Sequence, residues 1–75
     1  MKEIIYVKLL GEGTIVYRPV SAIKIESNIY KLEGHDIYNT ENETWEFEPG
    51  TQVVVQSKSL EGQSLLVATE KKVIP

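Results

Sequence analysis

The chain has 75 residues, of which 41% are hydrophobic and 25% charged, and its formal net charge is −3. A chain of this length forms at most one domain, residues 1–75, and folding buries only about 60–65% of its unfolded surface, which predicts marginal stability. With no cysteine and one histidine, it has neither disulfides nor a structural zinc site to support the fold, and we expect no cofactor and no metal.

The first predicted element lies in the opening segment MKEIIYVKLLGEG. Its uninterrupted apolar run is four residues long, far shorter than the core of a signal peptide or a membrane span. We therefore expect a cytoplasmic protein with no membrane segment. We predict a strand over residues 2–10, with Ile5, Val7 and Leu9 on one face and Ile4, Tyr6 and Leu10 on the other; one face is core and the other partly covered.

The rest of the chain also predicts strands. It contains two alanines and many β-branched and aromatic residues, a composition that favours sheets over helices. Turn residues such as GEG, SN, EGHD, PG and EG separate the apolar runs. We predict further strands over residues 14–25, 29–32, 52–60 and 64–72, and a short extra strand near 45–48.

The second predicted strand contains an irregularity. Val16, Val20 and Ala22 have one parity and Tyr17 and Ile23 the other, and Pro19 lies between them. Proline within a strand indicates a free edge or a bulge, and a bend there would let one strand serve two sheets. Five short strands with a bent second strand predict an all-β fold, a small five-stranded antiparallel barrel that is SH3-like or, alternatively, OB-like.

The segment YNTENETWEFEPG, residues 38–50, links the third and fourth of these strands. Thr40 and Glu43 have the spacing of a capping box, which predicts one short helical turn near residues 40–44. In the following WEFE, aromatic and acidic residues alternate, so we expect Trp45 and Phe47 to point inward. The prediction is that Trp45 is buried and closes one end of the barrel.

The same part of the chain concentrates negative charge. Between Lys31 and Lys58 there are six acids and no lysine or arginine, so this stretch carries −6 and the rest of the chain +3. The spacing does not fit an EF-hand, whose sixth position is glycine. The stretch is either a solvated loop that maintains solubility or a docking face for a basic partner. Our candidate partner-binding residues are Tyr17, Arg18, Glu41, Glu43, Glu46 and Glu48.

Arg18 is the only arginine and precedes Pro19, so its backbone is expected to be extended. The planar guanidinium suggests a geometric role, and two remain open. One is an internal pair with a loop acid such as Glu46 or Glu48, stacked on an aromatic ring. The other is a partner-facing anchor beside Tyr17, because arginine and tyrosine are enriched at binding hot spots.

Catalysis has little support in the sequence. His35 lies in a predicted turn, and no serine has a recognisable triad setting, so we do not expect an enzyme. A nucleic-acid-binding adaptor is the alternative function, since small barrels bind nucleic acid through aromatic and basic strand faces. The candidates for that face are Tyr6, Tyr17, Tyr30, Lys8, Arg18, Lys24 and Lys31. The net negative charge argues against it.

Three segments, EGTIVYRPVSA, NETWEFEPGTQVVV and LLVA, together resemble a family of small bacterial proteins of unassigned function. The shared pattern is RPV-x-A, then E-x-W-E-F-x-PG, then LVA. The resemblance implies a compact β domain and no particular activity. Together these observations predict a binding module that contacts another protein through an acidic face, with oligomeric state and partner identity left open.

Overall fold

The computed structural model describes residues 2–72, so residue 1 and residues 73–75 of the predicted domain lie outside it. The described chain is all-β and contains no helix. The predicted bounds are confirmed for the strands that begin at Lys2, Ile29 and Gln52, and they differ by one to three residues for the others. The strands are β1 (Lys2–Leu10), β2 (Tyr17–Glu26), β3 (Ile29–Leu32), β4 (Thr44–Trp45), β5 (Gln52–Leu60) and β6 (Gln63–Lys71).

Five of the strands close into a ring. β1, β2, β3, β5 and β6 pair in chain order, each antiparallel to the one before, and β6 pairs with β1 where Val67 lies beside Tyr6. This last pairing is parallel, so the expectation of a wholly antiparallel sheet is wrong at one place. The reason is geometric: direction alternates along five consecutive strands, and the fifth therefore runs the same way as the first. β4 extends the sheet at the end of β1, where Trp45 pairs with Leu9.

The core lies inside this ring. Ile5, Val7 and Leu9, which share one face of β1, are buried. Val20 and Ala22 of β2 face them, and β3, β5 and β6 contribute further buried residues. The core is made almost entirely of aliphatic and aromatic side chains, whose removal from water is the main stabilisation available to a chain of this size.

β2 pairs with both β1 and β3, but these strands belong to one sheet, so the expected bend that serves two sheets is not seen, and the irregularity of β2 is not at Pro19. Pairing with β1 runs through Tyr17 to Ile23, pairing with β3 begins at Ala22, and the register shifts between Lys24 and Glu26. Pro19 is exposed and lies before the pairing with β3 begins. The bond from Leu9 N to Val16 O, 2.8 Å long, sets the alternation of the β1–β2 ladder. By that alternation the nitrogen of Pro19 points away from β1, where a missing N–H costs no ladder bond.

The helical turn predicted near residues 40–44 is wrong. The backbone N–H groups of Asn42 and Glu43 both donate to Asn39 O, each over 3.0 Å, which makes a single hydrogen-bonded turn. The side chain of Asn39, not that of Thr40, stabilises it: Asn39 Oδ1 accepts a 2.9 Å bond from the N–H of Glu41. Asparagine competes well for such local bonds, and the carboxylate of Glu43 is engaged elsewhere, so the capping box does not form.

Candidate functional site

The first candidate region is the end of the ring covered by Trp45, which we call the Trp45 end and define by Arg18, Gly34, Tyr38, Glu43 and Trp45. The indole is 2% exposed, as predicted, and its Nε1 donates a 2.8 Å hydrogen bond to Glu43 Oε1. The ring of Tyr38 lies against it with centroids 4.6 Å apart and planes tilted by 45°. Trp45 therefore closes this end of the core with its one polar atom satisfied.

Arg18 belongs to the same end. Its Nε lies 3.1 Å from Glu43 Oε1 and is shielded from water, but its N–H is not aligned on that oxygen, so the contact is an ion pair without a directed hydrogen bond. Position 18 has the parity of Val20, whose side chain is in the core, and this sends the guanidinium inward. The expected internal pair is present, with Glu43 in place of Glu46 or Glu48. Stacking of Arg18 on an aromatic ring is not seen within residues 2–72.

Gly34 allows the loop to pass close over Trp45. Its φ is +106°, and a Cβ at this position would lie 2.9 Å from Trp45 Cη2. Real Cβ atoms do not approach so closely, and the left-handed backbone is itself unfavourable for other residues. The EGHD turn thus requires glycine for two independent reasons.

The second candidate region is on the opposite face of β2. Tyr17 pairs in register with Lys8 of β1 and separates two adjoining depressions of the surface. One has a volume of about 580 Å³, and its lining combines Tyr6, Ile15 and Leu65 with the polar Glu61 and Gln63. The other has a volume of about 210 Å³. Its lining includes Lys8, Glu46 and Lys58.

We call this surface the Tyr17 groove, defined by Tyr6, Lys8, Ile15, Tyr17, Glu46, Lys58 and Leu65. Ile15 lies at the rim of the groove, in the loop between β1 and β2. Its large apolar side chain is 69% exposed to water. A groove with two phenol rings, an exposed isoleucine and charged groups in both depressions can take an apolar side chain and orient it by its polar neighbours.

The six candidates of the sequence analysis separate into three groups. Tyr17 and Glu46 lie together in the Tyr17 groove. Arg18 and Glu43 lie together at the Trp45 end. Glu41 and Glu48 are exposed and belong to neither group. Sequence reasoning missed Ile15, although an isoleucine directly after the turn residues GEGT has no obvious place in a core.

The acids of residues 33–48 differ in their surroundings. Glu33 pairs with Lys2 over 3.1 Å, and Glu43 pairs with Arg18. The remaining four are exposed and, in the described part of the chain, have no ion-pair partner. They are Asp36, Glu41, Glu46 and Glu48, which we call the free acids. Their charges are available to a partner, although Glu46 shares its depression with two lysines.

The aromatic and basic face considered for nucleic acid is smaller than expected. Tyr30 is 4% exposed, and its hydroxyl donates a 2.5 Å hydrogen bond to Glu3 Oε2. This bond, then burial and the charge of Glu3, raise the pKa of Tyr30 above its ordinary value. Tyr30 is therefore a core residue, and Arg18 is held by Glu43. Of the tyrosines proposed for that face, Tyr6 and Tyr17 remain at the surface.

His35 is exposed and lines a shallow depression with Lys2, Glu33 and Asp36. Within residues 2–72, no three or more histidine, aspartate or glutamate side chains are grouped in a way that could hold a metal ion. Nor does that part of the chain contain a helix long and apolar enough to cross a membrane.

Comparison of the chain with protein-family models, with curated proteins and with solved structures gave no match.

Proposed function

We propose that this protein is a binding module that contacts another protein through the Tyr17 groove, and that the free acids, of which Glu46 lies in the groove, attract the partner. The observation that carries the proposal is the position of Tyr17, which forms a wall of both depressions and stands next to an isoleucine that is 69% exposed. Exposing Ile15 to water gains nothing for the fold, whereas covering it with a partner removes apolar surface from water.

The partner that fits presents an apolar side chain to the depression of Tyr6, Ile15 and Leu65. It also carries basic residues that approach the free acids, because complementary charge speeds encounter and disfavours acidic competitors. Arg18 and Glu43, two of the original candidates, support the surface from inside in this proposal and do not touch the partner. The Nε of Arg18 and the carboxylate of Glu43 are engaged with each other, although 38% of the Arg18 side chain is exposed.

We further propose that the ring of five strands is an SH3-like barrel, with an OB-like barrel as the alternative. Neighbours in the ring are neighbours in the chain from β1 to β6, apart from the short β4. An OB fold has a Greek-key order, in which one strand leaves this sequence, so the observed order favours the SH3-like description. The resemblance to small bacterial proteins, the cytoplasmic location and the absence of enzymatic activity stay predictions.

A nucleic-acid adaptor is the competing function. Tyr6, Tyr17, Lys8 and Lys58 share one surface, which is a specific reason to keep it. Against it, the lysines share their depression with Glu46, and phosphate binding requires concentrated positive charge.

Capture from cell extract on the immobilised protein separates the two functions. We expect recovery of a protein that survives nuclease treatment, falls with Ile15→Ser and falls as salt rises. Ile37→Ser is the matched control, because Ile37 is also an exposed isoleucine, 43% exposed, but lies outside the groove. Loss of all recovery after nuclease supports the adaptor, and equal recovery with both variants overturns the groove as the contact surface.

The free acids are tested in the same assay with Glu41→Gln combined with Glu48→Gln. We expect weaker recovery at low salt and a shallower dependence on salt. Glu70→Gln is the control, since Glu70 is an exposed acid on β6, away from residues 33–48. If the control and the double variant behave alike, the acids serve only solubility.

A further inference from the structure

The β5–β6 hairpin extends beyond the ring. β3 pairs with β5 only over residues 52–54, whereas β6 accompanies β5 as far as Leu60. Among the described residues, no strand pairs with the other side of residues 56–60. We call that side the β5 edge.

The hairpin turn sets which backbone groups point to this edge. Glu61 and Gly62 have φ values of 50° and 80°, which fit a two-residue type I′ turn, and Leu60 and Gln63 are its flanking pair. In that turn the flanking residues bond each other, and bonding then alternates along the ladder. The N–H and C=O groups of Ser57 and Ser59 therefore point away from β6. Val55, which has the same phase, confirms this: its N–H donates a 2.9 Å bond outward to Asn28 O.

We propose that the β5 edge accepts an extended segment of a partner protein as an additional antiparallel strand, with an acidic residue opposite Lys58. The backbone of Ser57 and Ser59 presents two N–H donors and two C=O acceptors with the spacing of a strand ladder. Lys58 lies between them and is exposed. On the partner strand, an acidic residue directly opposite Lys58 is therefore favoured over a basic one. The proposal rests on the proposed function only in taking the partner to be a protein.

A second copy of the chain fits this edge poorly. Self-pairing uses all four groups of Ser57 and Ser59 only when it is centred on Lys58, and it then places Lys58 opposite its own copy. Like charges directly opposite one another destabilise a strand pair, and lysine on an edge commonly prevents such association. The part of β2 that precedes its pairing with β3 also has a free edge. There the exposed Pro19, which has no N–H to donate, hinders the addition of another strand. The β5 edge has no proline and is selective through charge alone.

The test uses capped heptapeptides of alternating threonine and valine with a central glutamate or a central lysine, titrated into the ¹⁵N-labelled protein. We expect the amide signals of Ser57 and Ser59 to shift most, and the glutamate peptide to bind at least about threefold more tightly than the lysine peptide. Lys58→Glu should reverse that order, with signals outside the hairpin and the Tyr17 groove unchanged in the free variant.

Three results overturn the proposal. The first is no shift at the edge with either peptide, and the second is equal affinity for both peptides. The third is a concentration-dependent shift of Ser57 and Ser59 in the protein alone, which would make a second copy the occupant. Because Lys58 also lines the Tyr17 groove, the amides of Lys8 and Tyr17 serve as separate reporters. Shifts confined to those amides would favour the groove over the edge, so that failure of one proposal is not failure of the other.

Discussion

Tyr17 and Arg18 are adjacent in the chain but belong to two regions of opposite character. Arg18 turns inward to the Trp45 end, where Glu43, Trp45 and Tyr38 contact one another. Tyr17 turns outward to a groove whose exposed isoleucine and charged neighbours are only loosely covered. Two residues that are neighbours in the chain, and that one hypothesis groups as a single anchor, thus point to opposite faces because side chains alternate along a strand.

The difference shows which polar and aromatic groups are available for function. At the Trp45 end the contacts are internal, so changes there should alter stability. In the Tyr17 groove and at the β5 edge the groups lack such contacts, so changes there should alter binding and leave stability nearly unchanged. Each of the following measurements tests this difference between the Trp45 end, the Tyr17 groove and their neighbouring residues.

The largest expected effect is that of Trp45→Ala. Removing a 2% exposed indole leaves a cavity and costs about 3–5 kcal/mol, enough to unfold a domain of marginal stability. Ile15→Ser, in the groove, should change the free energy of unfolding by no more than about 0.5 kcal/mol. Urea denaturation followed by circular dichroism measures both. Similar losses for the two variants would abolish the distinction between the regions.

Gly34→Ala should be the next most damaging change. The new methyl group meets Trp45 at 2.9 Å in a left-handed backbone, and we expect a loss of about 1–3 kcal/mol. Gly13→Ala is the matched control, because Gly13 also has a positive φ, +73°, but nothing lies within 4 Å of its added Cβ. The difference between the two melting temperatures isolates the steric contact with Trp45. If they fall equally, the loop does not press on the indole.

Glu43→Gln should have a smaller effect. The amide oxygen can still accept the indole N–H, but the charge that faces Arg18 is lost, and because both side chains are partly exposed we expect a cost of about 1 kcal/mol. Glu41→Gln, at an exposed neighbouring acid, should stay within about 0.5 kcal/mol of the unmodified protein. Chemical denaturation at low and high salt distinguishes them. A salt-independent loss for Glu43→Gln would rule out the ion pair as its cause.

The mildest expected effect concerns Tyr30, the tyrosine that is buried where Tyr17 is not. Its pKa is raised by the bond to Glu3, so the folded state holds the phenol proton more tightly than the unfolded state. The corresponding stabilisation is complete below the ordinary tyrosine pKa of about 10 and is lost as pH rises through the folded-state pKa. Unfolding midpoints from pH 8 upward should fall above about pH 10.

Tyr30→Phe is the control for that series, because it should remove this component of the alkaline fall. An identical fall in the variant would assign the pH dependence to other groups.

Much of the fold could be predicted from the sequence because it depends on local signals. Turn residues indicate the strand ends, and the alternation in WEFE predicts the burial of Trp45, whereas both faces of β1 are substantially apolar and alternation alone does not select the buried one. The capping box failed because Asn39 and Thr40 compete for the same turn, and which one wins depends on where the carboxylate of Glu43 finds partners. Those partners, Arg18 and the indole, are brought to it by pairing between strands distant in sequence.

The candidate site was only half predictable for the same reason. Tyr17 and Glu46 could be named as candidates from residue type and position, and they do line one depression. Ile15 lies two residues before Tyr17, but Leu65 and Lys58 join them only because the last hairpin folds back beside β1. Neither spacing nor charge pattern contains that information, since it arises from the closure of the ring.

The single parallel pairing that closes the ring also affects how the protein folds. Tyr6 and Val67 are 61 residues apart in the chain, so the entropy of closing a long loop must be overcome before this contact contributes. The β1–β2 and β5–β6 hairpins can form locally beforehand, the latter guided by its two-residue turn. Joining the first and last strands is therefore expected to be a late event that limits the refolding rate. During synthesis, β1 must wait with one side unpaired until Val67 has left the ribosome.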